Sequence, residues 1–452
     1  MIAVLANPTP STLDPLVRYP SGAPASPHFQ LRVDGREVFV WQTEVAAFAC
    51  MEFSGSAEVE VTFPERWSGP EIHPLSHGLQ AESLGGVARF TMPRAMNLSV
   101  GFGFDHLPLY LYASEPKADG VRPVPGTPGV HFFEGGRVHE VGRLELKDNE
   151  QVYIEAGAVV RGCIRAINTR GVKIHGRGIL DGSFYKRGRD GTRSIVIEGS
   201  EDALIEDIVM IEPSGWMIVI AASRNVTVRG VRQIGIHVAT DGVDIVGSRD
   251  VLVENCFLHN NDDCVAIKAG TYWIKEPREC TMLWNDPVEN ILVQGCIFAN
   301  DRAGNVVEIG HELSTAHVRG VTFRDCDVLH CHGNGAVFAI HNCDAAEVSG
   351  ILYENIRVEH YWEKLFDVRV MASMWGRDPV RGRIRDITFR GIRVAHSAQN
   401  AGYSTSVIGG WDAEHPVEKV AFEDISFNGR PVTSLDGELE VFTRHAHGIS
   451  IR

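Results

Sequence analysis

The stretch ATDGVDIVGSRDVLVENCFLHNNDDCVAIK, from Ala239 to Lys268, decides how the fold is interpreted. It contains three aspartates, Asp241, Asp262 and Asp263, separated by short apolar runs. Asp241 and Asp262 are 21 residues apart, which matches one coil of a repeat architecture with a period of about 20–30 residues. Residues one coil apart lie over each other, so the spacing predicts a patch of three carboxyl groups. Carboxylates that close do not all ionise freely, and one of them is expected to hold a proton.

The composition is that of an ordinary globular protein, with 44% hydrophobic and 22% charged residues in a chain of 452. A formal net charge of −15 argues against nucleic acid or an anionic membrane as the main partner. The N-terminal segment lacks the features of a signal peptide, and no stretch is long and apolar enough to span a membrane. The nine cysteines form no CxxC pairs and are expected to be reduced. We therefore expect a cytoplasmic protein without a cofactor. The alternative is a secreted protein whose signal peptide has been removed.

The N-terminal part of the chain has a pattern of its own. Residues from about 28 to 115 alternate between apolar and polar in short runs such as FQLRVDG and AEVEVTF. Such runs, separated by turn residues, predict an antiparallel β-sandwich of short strands. A Pro- and Gly-rich linker follows from Pro116 to Val130. We therefore expect a sandwich domain over residues 1–120 and a second, catalytic domain over residues 121–452.

A short motif recurs through the second part of the chain, as in IEDIVM, VENCFL, FRDCDV and FEDISF. Eight unevenly spaced copies, each a small apolar strand followed by a turn, indicate a solenoid with variable loops. Helical periodicity is weak, so a right-handed parallel β-helix is predicted. The fourth residues of the motifs run from Ile208 to Ile425, and five of them are expected to form one interior ladder: Val231, Cys256, Cys296, Cys326 and Ile356.

The longest gap between motifs holds a loop from Ala269 to Glu289, directly after the aspartate pair. It carries Tyr272, Trp273 and Trp284. A long loop beside a candidate site is commonly functional. Its aromatic rings are expected to stack on sugar rings, and the alternative is that they pack the loop onto the helix.

Hydrolysis of a glycosidic bond uses two carboxyl groups, one as the proton donor and one that activates water or attacks the sugar. The three aspartates would supply an acid and one or two bases. The alternatives are that they cap turns on a solvated edge or bind a structural calcium ion. Their position between apolar stack residues favours catalysis.

Four segments of the second part of the chain are YIEAGAVVRG (Tyr153 to Gly162), HGRGILDG (His175 to Gly182), ATDGVDI (Ala239 to Ile245) and NDDCVAIK (Asn261 to Lys268). Through these segments the chain resembles the polygalacturonases of glycoside hydrolase family 28 and their sister family 49 of dextranases and isopullulanases. The resemblance covers about residues 130–430, and the last two segments are similar to the catalytic aspartate motifs of these families.

The resemblance implies that Asp262 is the general acid and that Asp241 and Asp263 hold the nucleophilic water. It also implies inversion at the anomeric carbon, for which the acid and base are expected to stand about 6.5–9.5 Å apart. A β-sandwich ahead of the helix also occurs in such enzymes.

The chain departs from the family 28 pattern at three places. Ala239 stands where the family has Asn, and the register places Asn305 at the family's histidine, whereas the nearby His311 is only superficially similar. Family 28 has an Arg-x-Lys pair that surrounds the substrate carboxylate. At the corresponding place this chain reads GAVFAIHN, and His341 is the one residue there that could take the place of the pair.

A uronate bound in a dry cleft needs a charge partner. Without the basic pair, we expect a preference for neutral chains unless Lys268, Arg302 or Arg369 takes its place. The residues expected to contact substrate are His311, Lys268, Asn305, Trp273, Trp284, His341 and Arg369.

Two other function classes stay open on the same fold. A polysaccharide lyase or epimerase would need calcium or a basic residue at the site, and few basic residues lie near the aspartates. A non-catalytic carbohydrate-binding β-helix would bind sugar without cleaving it. The oligomeric state, the linkage and the endo or exo mode do not follow from the sequence.

Overall fold

A computed structural model describes residues 17–67, 69–103, 106–117, 122–186, 192–270, 283–395, 405–437 and 439–452. The chain forms two compact units. The first takes in the described residues up to Pro125 together with Glu134–Val138 and Glu155–Val159, and the second holds the remainder. The predicted domain boundary at residue 120 lies outside the described residues.

The first unit is a β-sandwich of two five-stranded sheets. Alternate residues of the longer strands face an apolar core, as the alternating sequence predicts. One pairing differs from the expected antiparallel pattern, because Ala47–Glu52 and Leu109–Ser114 run parallel. In spatial order the sheets are Arg36–Val38, Gln30–Val33, Ala57–Thr62, Val87–Met92 and Glu82–Leu84, and Trp41–Gln42, Ala47–Glu52, Leu109–Ser114, Asn97–Gly101 and Glu71–His73.

The second unit is a right-handed parallel β-helix, as predicted, with three strands in each full coil. Corresponding strands pair in parallel from one coil to the next and form three stacks, here named A, B and C. Stack A contains Val159–Ile167, Ile195–Glu198, Ile218–Ala221, Val243–Val246, Val265–Ala269, Val307–Leu313, Ala336–Asn342, Lys364–Val370, Ser406–Gly409 and Val441–Arg444. Stack B contains Ile179–Asp181, Val209–Ile211, Arg232–Ile234, Phe257–Asn260, Ile297–Asn300, Asp327–Cys331, Arg357–Val358, Arg393–Val394 and Ser426–Phe427.

Stack C contains Val130–Phe133, Gln151–Ile154, Lys173–Gly176, Glu201–Glu206, Arg224–Arg229, Arg249–Glu254, Val288–Gln294, His317–Arg324, Glu347–Glu354, Arg383–Arg390 and Val417–Glu423, and ends with Ala446–His447 and Ser450–Ile451. Val138–Leu146 and Arg430–Pro431 extend the sheet of stacks A and B at its two ends. The helices described are the single 3-10 turns Leu75–His77 and Gly182–Phe184. Among the described residues, no helix has the length and apolar character needed to cross a membrane.

The turn from stack C to stack B explains the recurring motif. One residue in each turn has a left-handed backbone, and it is always Asp, Asn or Gly, the residues that tolerate a positive φ. These residues are Asp207, Gly230, Asn255, Gly295, Asp325, Asn355, Gly391 and Asp424. The residue after each is the fourth residue of a motif, and all eight of these residues are buried, including the five predicted to form the interior ladder. The interior stack, including three free cysteines, is therefore confirmed.

Candidate active site

The three aspartates lie in the turns that lead from stack B into stack A. Asp241 precedes Val243–Val246, and the Asp262–Asp263 pair precedes Val265–Ala269 one coil later. One carboxylate oxygen from each aspartate lies within 4.8 Å of the other two. The coils therefore bring the three carboxyl groups together, as the spacing predicted.

The register within this cluster differs by one residue from the predicted one. Val243 pairs with Val265, and the Gly242 amide donates to the Asp263 carbonyl at 2.8 Å. Asp263, rather than Asp262, is therefore the counterpart of Asp241 one coil later. Asp241 and Asp263 are buried, whereas Asp262 is partly exposed. Asp262 is thus the carboxyl group that a ligand can reach most directly.

The expected separation of about 6.5–9.5 Å for an inverting site refers to the acid and base carboxyl groups as a whole. The 4.8 Å limit refers to one selected oxygen of each aspartate and is a different quantity. Inversion therefore rests on the family resemblance.

Lys268 supplies the positive charge of the cluster. Its Nζ donates to Asp241 Oδ2 at 2.9 Å and to Asp244 Oδ1 at 2.7 Å, and it lies 4.0 Å from the centre of the Trp216 ring. Burial alone would lower the pKa of Lys268, but Asp241 and Asp244 outweigh it and raise the pKa well above its usual value. Lys268 was expected to contact substrate, and the structure instead uses it to hold a catalytic candidate.

The electrostatic surroundings favour a protonated carboxyl group in the cluster. Burial raises the pKa of Asp262 to about 7, and the neighbouring Asp241 adds to the increase. Burial likewise raises the pKa of Asp263, with Asp262 and Asp241 as further causes. The two groups titrate together, so the cluster as a whole holds a proton near neutral pH. Asp262 is the more accessible of the two side chains, so it is the one that can pass this proton to a ligand.

Backbone groups fix the orientation of Asp262. The Ala239 amide donates to its Oδ2 at 2.7 Å, and the Asp263 amide donates to Oδ1 at 3.1 Å. Ala239 has a φ of 69°, a left-handed conformation that Asn adopts more readily than Ala. Gly304 packs so closely on Asp262 that a Cβ there would collide with the carboxylate. Any side chain at position 304 would therefore displace the candidate acid.

Asn305 positions Asp263. Its backbone amide and its Nδ2 both donate to Asp263 Oδ1, at 2.6 and 3.2 Å. Nδ2 also contacts Glu308 Oε2 at 2.8 Å, and Oδ1 accepts the Ala336 amide at 2.8 Å. The Asn305 side chain is buried, and both Nδ2 hydrogens and one lone pair of Oδ1 are used within the protein. Its contact with substrate stays a prediction.

Sequence analysis missed a row of acidic residues on stack A. Asp244, Glu308 and Asp367 occupy one register position in alternate coils, with Ala266 and Ala339 between them. All three acids are buried. The available signal was an ionisable residue inside an apolar strand, as in VDIV and LFDVRV. Each of these acids forms an ion pair with a basic side chain of stack A that lies two register positions further along the strand direction.

His341 and Arg369 supply those partners at one end of the row. His341 lies between Glu308, at 2.9 Å from Nδ1, and Asp367, at 3.3 Å from Nε2. Burial alone would lower the pKa of His341, but Glu308 and Asp367 raise it to about 9. Arg369 contacts both carboxylate oxygens of Asp367, at 2.5 and 2.8 Å. Both predicted substrate contacts are therefore already charge-paired, and only Arg369 is partly exposed.

His311 stacks on His341, with ring centroids 4.6 Å apart. Burial lowers its pKa to about 4, so the ring is neutral at neutral pH. It is partly exposed, and Nδ1 lies 3.5 Å from the Cys343 sulfur. His311 can therefore offer a neutral ring face or nitrogen to a ligand.

The predicted aromatic platform is not formed by Trp284. This side chain is 2% exposed and packs on Val196, Val219 and Val246, and its Nε1 donates to Glu198 at 2.9 Å. The prediction that Trp284 stacks on sugar is wrong, because its ring faces are covered by core side chains. Trp273 and Tyr272 lie outside the described residues.

Comparisons with known proteins agree with this architecture. Residues 143–435 match the family model described as glycosyl hydrolases family 28. The probable endopolygalacturonase D of Neosartorya fischeri is 28% identical over 153 residues, which cover 33% of this chain and 28% of that protein. The match thus spans well under half of that relative's length.

Two solved structures are similar in fold. Dex49A from Penicillium minioluteum aligns with a TM-score of 0.71 at 13% identity and covers 97% of both chains. The family 28 exopolygalacturonase of Yersinia enterocolitica aligns with a TM-score of 0.54 at 12% identity, covering 88% of this chain and 96% of its own. At these identities the similarity shows the shared fold alone. The family model spans more than half of the sequence, and the chain therefore belongs to glycosyl hydrolases family 28.

Proposed function

We propose that this protein is a glycoside hydrolase that uses its three clustered aspartates to cleave a glycosidic bond in a polysaccharide or oligosaccharide. The observation that carries the proposal is the approach of one oxygen each of Asp241, Asp262 and Asp263 to within 4.8 Å. Paired carboxyl groups with different protonation states are what this reaction requires. Family membership supports the same reaction class.

The surroundings assign a different role to each aspartate. Asp262 is the general acid, since it is partly exposed and its pKa of about 7 keeps it protonated up to neutral pH. Asp241 is the base, since the Lys268 ammonium lies 2.9 Å from its carboxylate and holds it in place. Asp263, held by Asn305, shares the water with Asp241. The arrangement lets a proton go to the leaving oxygen while an ionised carboxylate draws one from water.

We propose inversion at the anomeric carbon as the stereochemical outcome, and the family resemblance supports it. Proton NMR of the first product formed decides the matter, because the anomeric signal appears before mutarotation. An inverted anomer agrees with the proposal. A product with the substrate's own configuration would instead assign a covalent intermediate, which suits closely spaced carboxyl groups.

We propose that neutral chains are preferred over uronate-containing ones. Lys268 and Arg369 are bound to protein carboxylates, so neither ammonium nor guanidinium is available without breaking an ion pair. A uronate would add a further negative charge to a site already rich in carboxyl groups. The net charge of −15 is also better suited to a carbohydrate than to nucleic acid as the partner.

Uronate-containing chains are the second candidate substrate. Arg302 is exposed, lies in the turn next to the aspartates and makes no ion pair with the described residues. A free guanidinium at this place could bind a substrate carboxylate in bidentate fashion. The name of the fungal relative, an endopolygalacturonase, points the same way.

Reducing-sugar release from dextran, pullulan and polygalacturonate, measured side by side, tests both candidates. Cleavage of a neutral chain alone supports the preferred proposal, and cleavage of polygalacturonate alone contradicts it. An unsaturated product that absorbs in the ultraviolet would identify a lyase. Binding without release of reducing ends from any chain would identify a carbohydrate-binding protein.

A further inference from the structure

A second cluster of ionisable side chains lies at the outer edge of stack B. One donor atom each of His259, Asp301 and His330 lies within 4.8 Å of the others. His332 is next to them, with Nδ1 at 3.9 Å from Asp301 Oδ1. None of these residues has a part in the proposed hydrolysis.

The strand register brings the cluster together from three coils. His259 pairs with Ala299, which pairs with His330 in the following coil. Asp301 comes directly after the strand Ile297–Asn300, at the level between the two histidines. The rings of His330 and His332 stack with centroids 4.3 Å apart. The cluster is thus built on paired strands and does not depend on one flexible loop.

The orientation of these groups indicates a common ligand. His259 Nε2 and His330 Nε2 each lie 2.6 Å from a different oxygen of Asp301. His330 Nε2 is buried and makes no hydrogen bond in spite of this short contact, because the contact lacks the direction that a hydrogen bond requires. His259 Nε2 is hydrogen-bonded to Asp301 Oδ2, whereas His330 Nε2 has no hydrogen bond. The lone pair of His330 Nε2 is therefore available to an ion held beside the Asp301 carboxylate.

We propose that His259, Asp301 and His330 bind a divalent transition-metal ion of the Zn²⁺ class, with His332 or water as the fourth ligand. Two imidazoles and one carboxylate suit Zn²⁺, which binds nitrogen at about 2.0–2.1 Å in tetrahedral geometry. Calcium and magnesium prefer a shell made entirely of oxygen. The ligand set therefore distinguishes this site from a calcium site.

The bound ion would stabilise the turn that carries the candidate acid. Asn300, the residue before Asp301, donates from Nδ2 to the Asp262 carbonyl at 2.8 Å and to the Ala303 carbonyl at 2.7 Å. A metal held by three successive coils would tie this turn to its neighbours. The ion is therefore structural, and it does not contact the reacting bond.

Zinc titration of the tag-free, chelator-treated protein tests the proposal. At pH 7.5, isothermal calorimetry should show one Zn²⁺ bound per chain, and Zn²⁺ should raise the melting temperature, because an ion that binds only the folded state stabilises it. Equal concentrations of Ca²⁺ or Mg²⁺ should leave the melting temperature unchanged. The variants His330→Ala and Asp301→Asn should each bind Zn²⁺ at least ~100-fold more weakly.

His317→Ala provides the matched control, since His317 contacts Glu289 at 2.7 Å and lies outside the cluster. It should bind Zn²⁺ like the unaltered protein. His311→Ala is a second control, because His311, Glu308 and His341 form another possible ligand group. If His330→Ala does not fold, as judged by circular dichroism, the near-isosteric Asp301→Asn decides alone. Absence of Zn²⁺ binding, retention of binding in Asp301→Asn, or loss of binding in His311→Ala would each overturn the proposal.

Discussion

Replacing Asp262 by Asn should change how stability depends on pH. The pKa of this carboxyl group is about 7 in the folded protein, against an ordinary value of 3.8. Because the folded value is the higher one, the stabilising effect of protonation is complete below about pH 4 and is lost as the pH rises through about 7. The unaltered protein should therefore become less stable from pH 5 to pH 8 through this group.

The size of the effect follows from the two pKa values. For one group with pKa values of 3.8 and about 7, linkage predicts a loss of about 2–3 kcal/mol in the free energy of unfolding between pH 5 and pH 8. Asn does not titrate, so the variant lacks this part of the loss. Without the Asp262 charge the pKa of Asp263 is also raised less, which reduces the loss further. Asn also changes the hydrogen bond from the Ala239 amide, but that change is the same at both pH values and cancels in the difference.

Urea unfolding at pH 5, 6, 7 and 8, followed by fluorescence, measures the difference. The free energy of unfolding of Asp262→Asn minus that of the unaltered protein should increase by at least about 2 kcal/mol from pH 5 to pH 8. Asp436→Asn, at an exposed position, serves as the control and should run parallel to the unaltered protein. A constant difference for Asp262→Asn would refute the raised pKa and with it the basis for the acid assignment.

Three further changes test separate parts of the account. Lys268→Met leaves two buried carboxyl groups without their cation and should lower the free energy of unfolding by about 3–5 kcal/mol. The control Lys364→Met, whose partner Glu363 lies at the surface, should lower it by less than about 1 kcal/mol. Trp284→Phe removes a buried hydrogen bond and should destabilise the protein by about 1–3 kcal/mol without changing KM, so a raised KM at unchanged stability would restore its role in binding. Arg302→Ala should leave KM for a neutral chain unchanged, and a large increase would show that this guanidinium contacts the substrate.

The fold could be predicted from the sequence because each coil depends on a short sequence pattern. Each coil needs one residue that accepts a left-handed backbone, followed by one apolar residue that points inward. Asn255–Cys256 and Asp325–Cys326 both show this pair, which is visible without coordinates. The convergence of the aspartates followed in turn, since the coil length fixes which turns lie over each other.

The partners of the aspartates did not follow, because they depend on register between coils of unequal length. A loop of different length precedes each stack A strand, so the alignment of Asp244 with Glu308 and Asp367 is set by pairing and not by a constant spacing. For the same reason the sequence predicted Asp262 as the counterpart of Asp241 one coil later, whereas the strand pairing makes it Asp263.

Side-chain orientation was the other limit. The sequence placed Trp284 in a long loop near the site, but whether its ring faces solvent or the core depends on packing that a loop composition does not specify. Asn305 was correctly placed next to the cluster, yet its hydrogen bonds are made inward to Asp263.

The initial rates of Asp241→Asn, Asp262→Asn and Asp263→Asn, on whichever chain the unaltered protein cleaves, test the central claim most directly. With folding verified by circular dichroism, each variant should be slower by about 10³-fold or more, whereas Asp436→Asn should retain the full rate. A rate close to that of the unaltered protein in any of the three would contradict the claim that these carboxyl groups act together on the substrate.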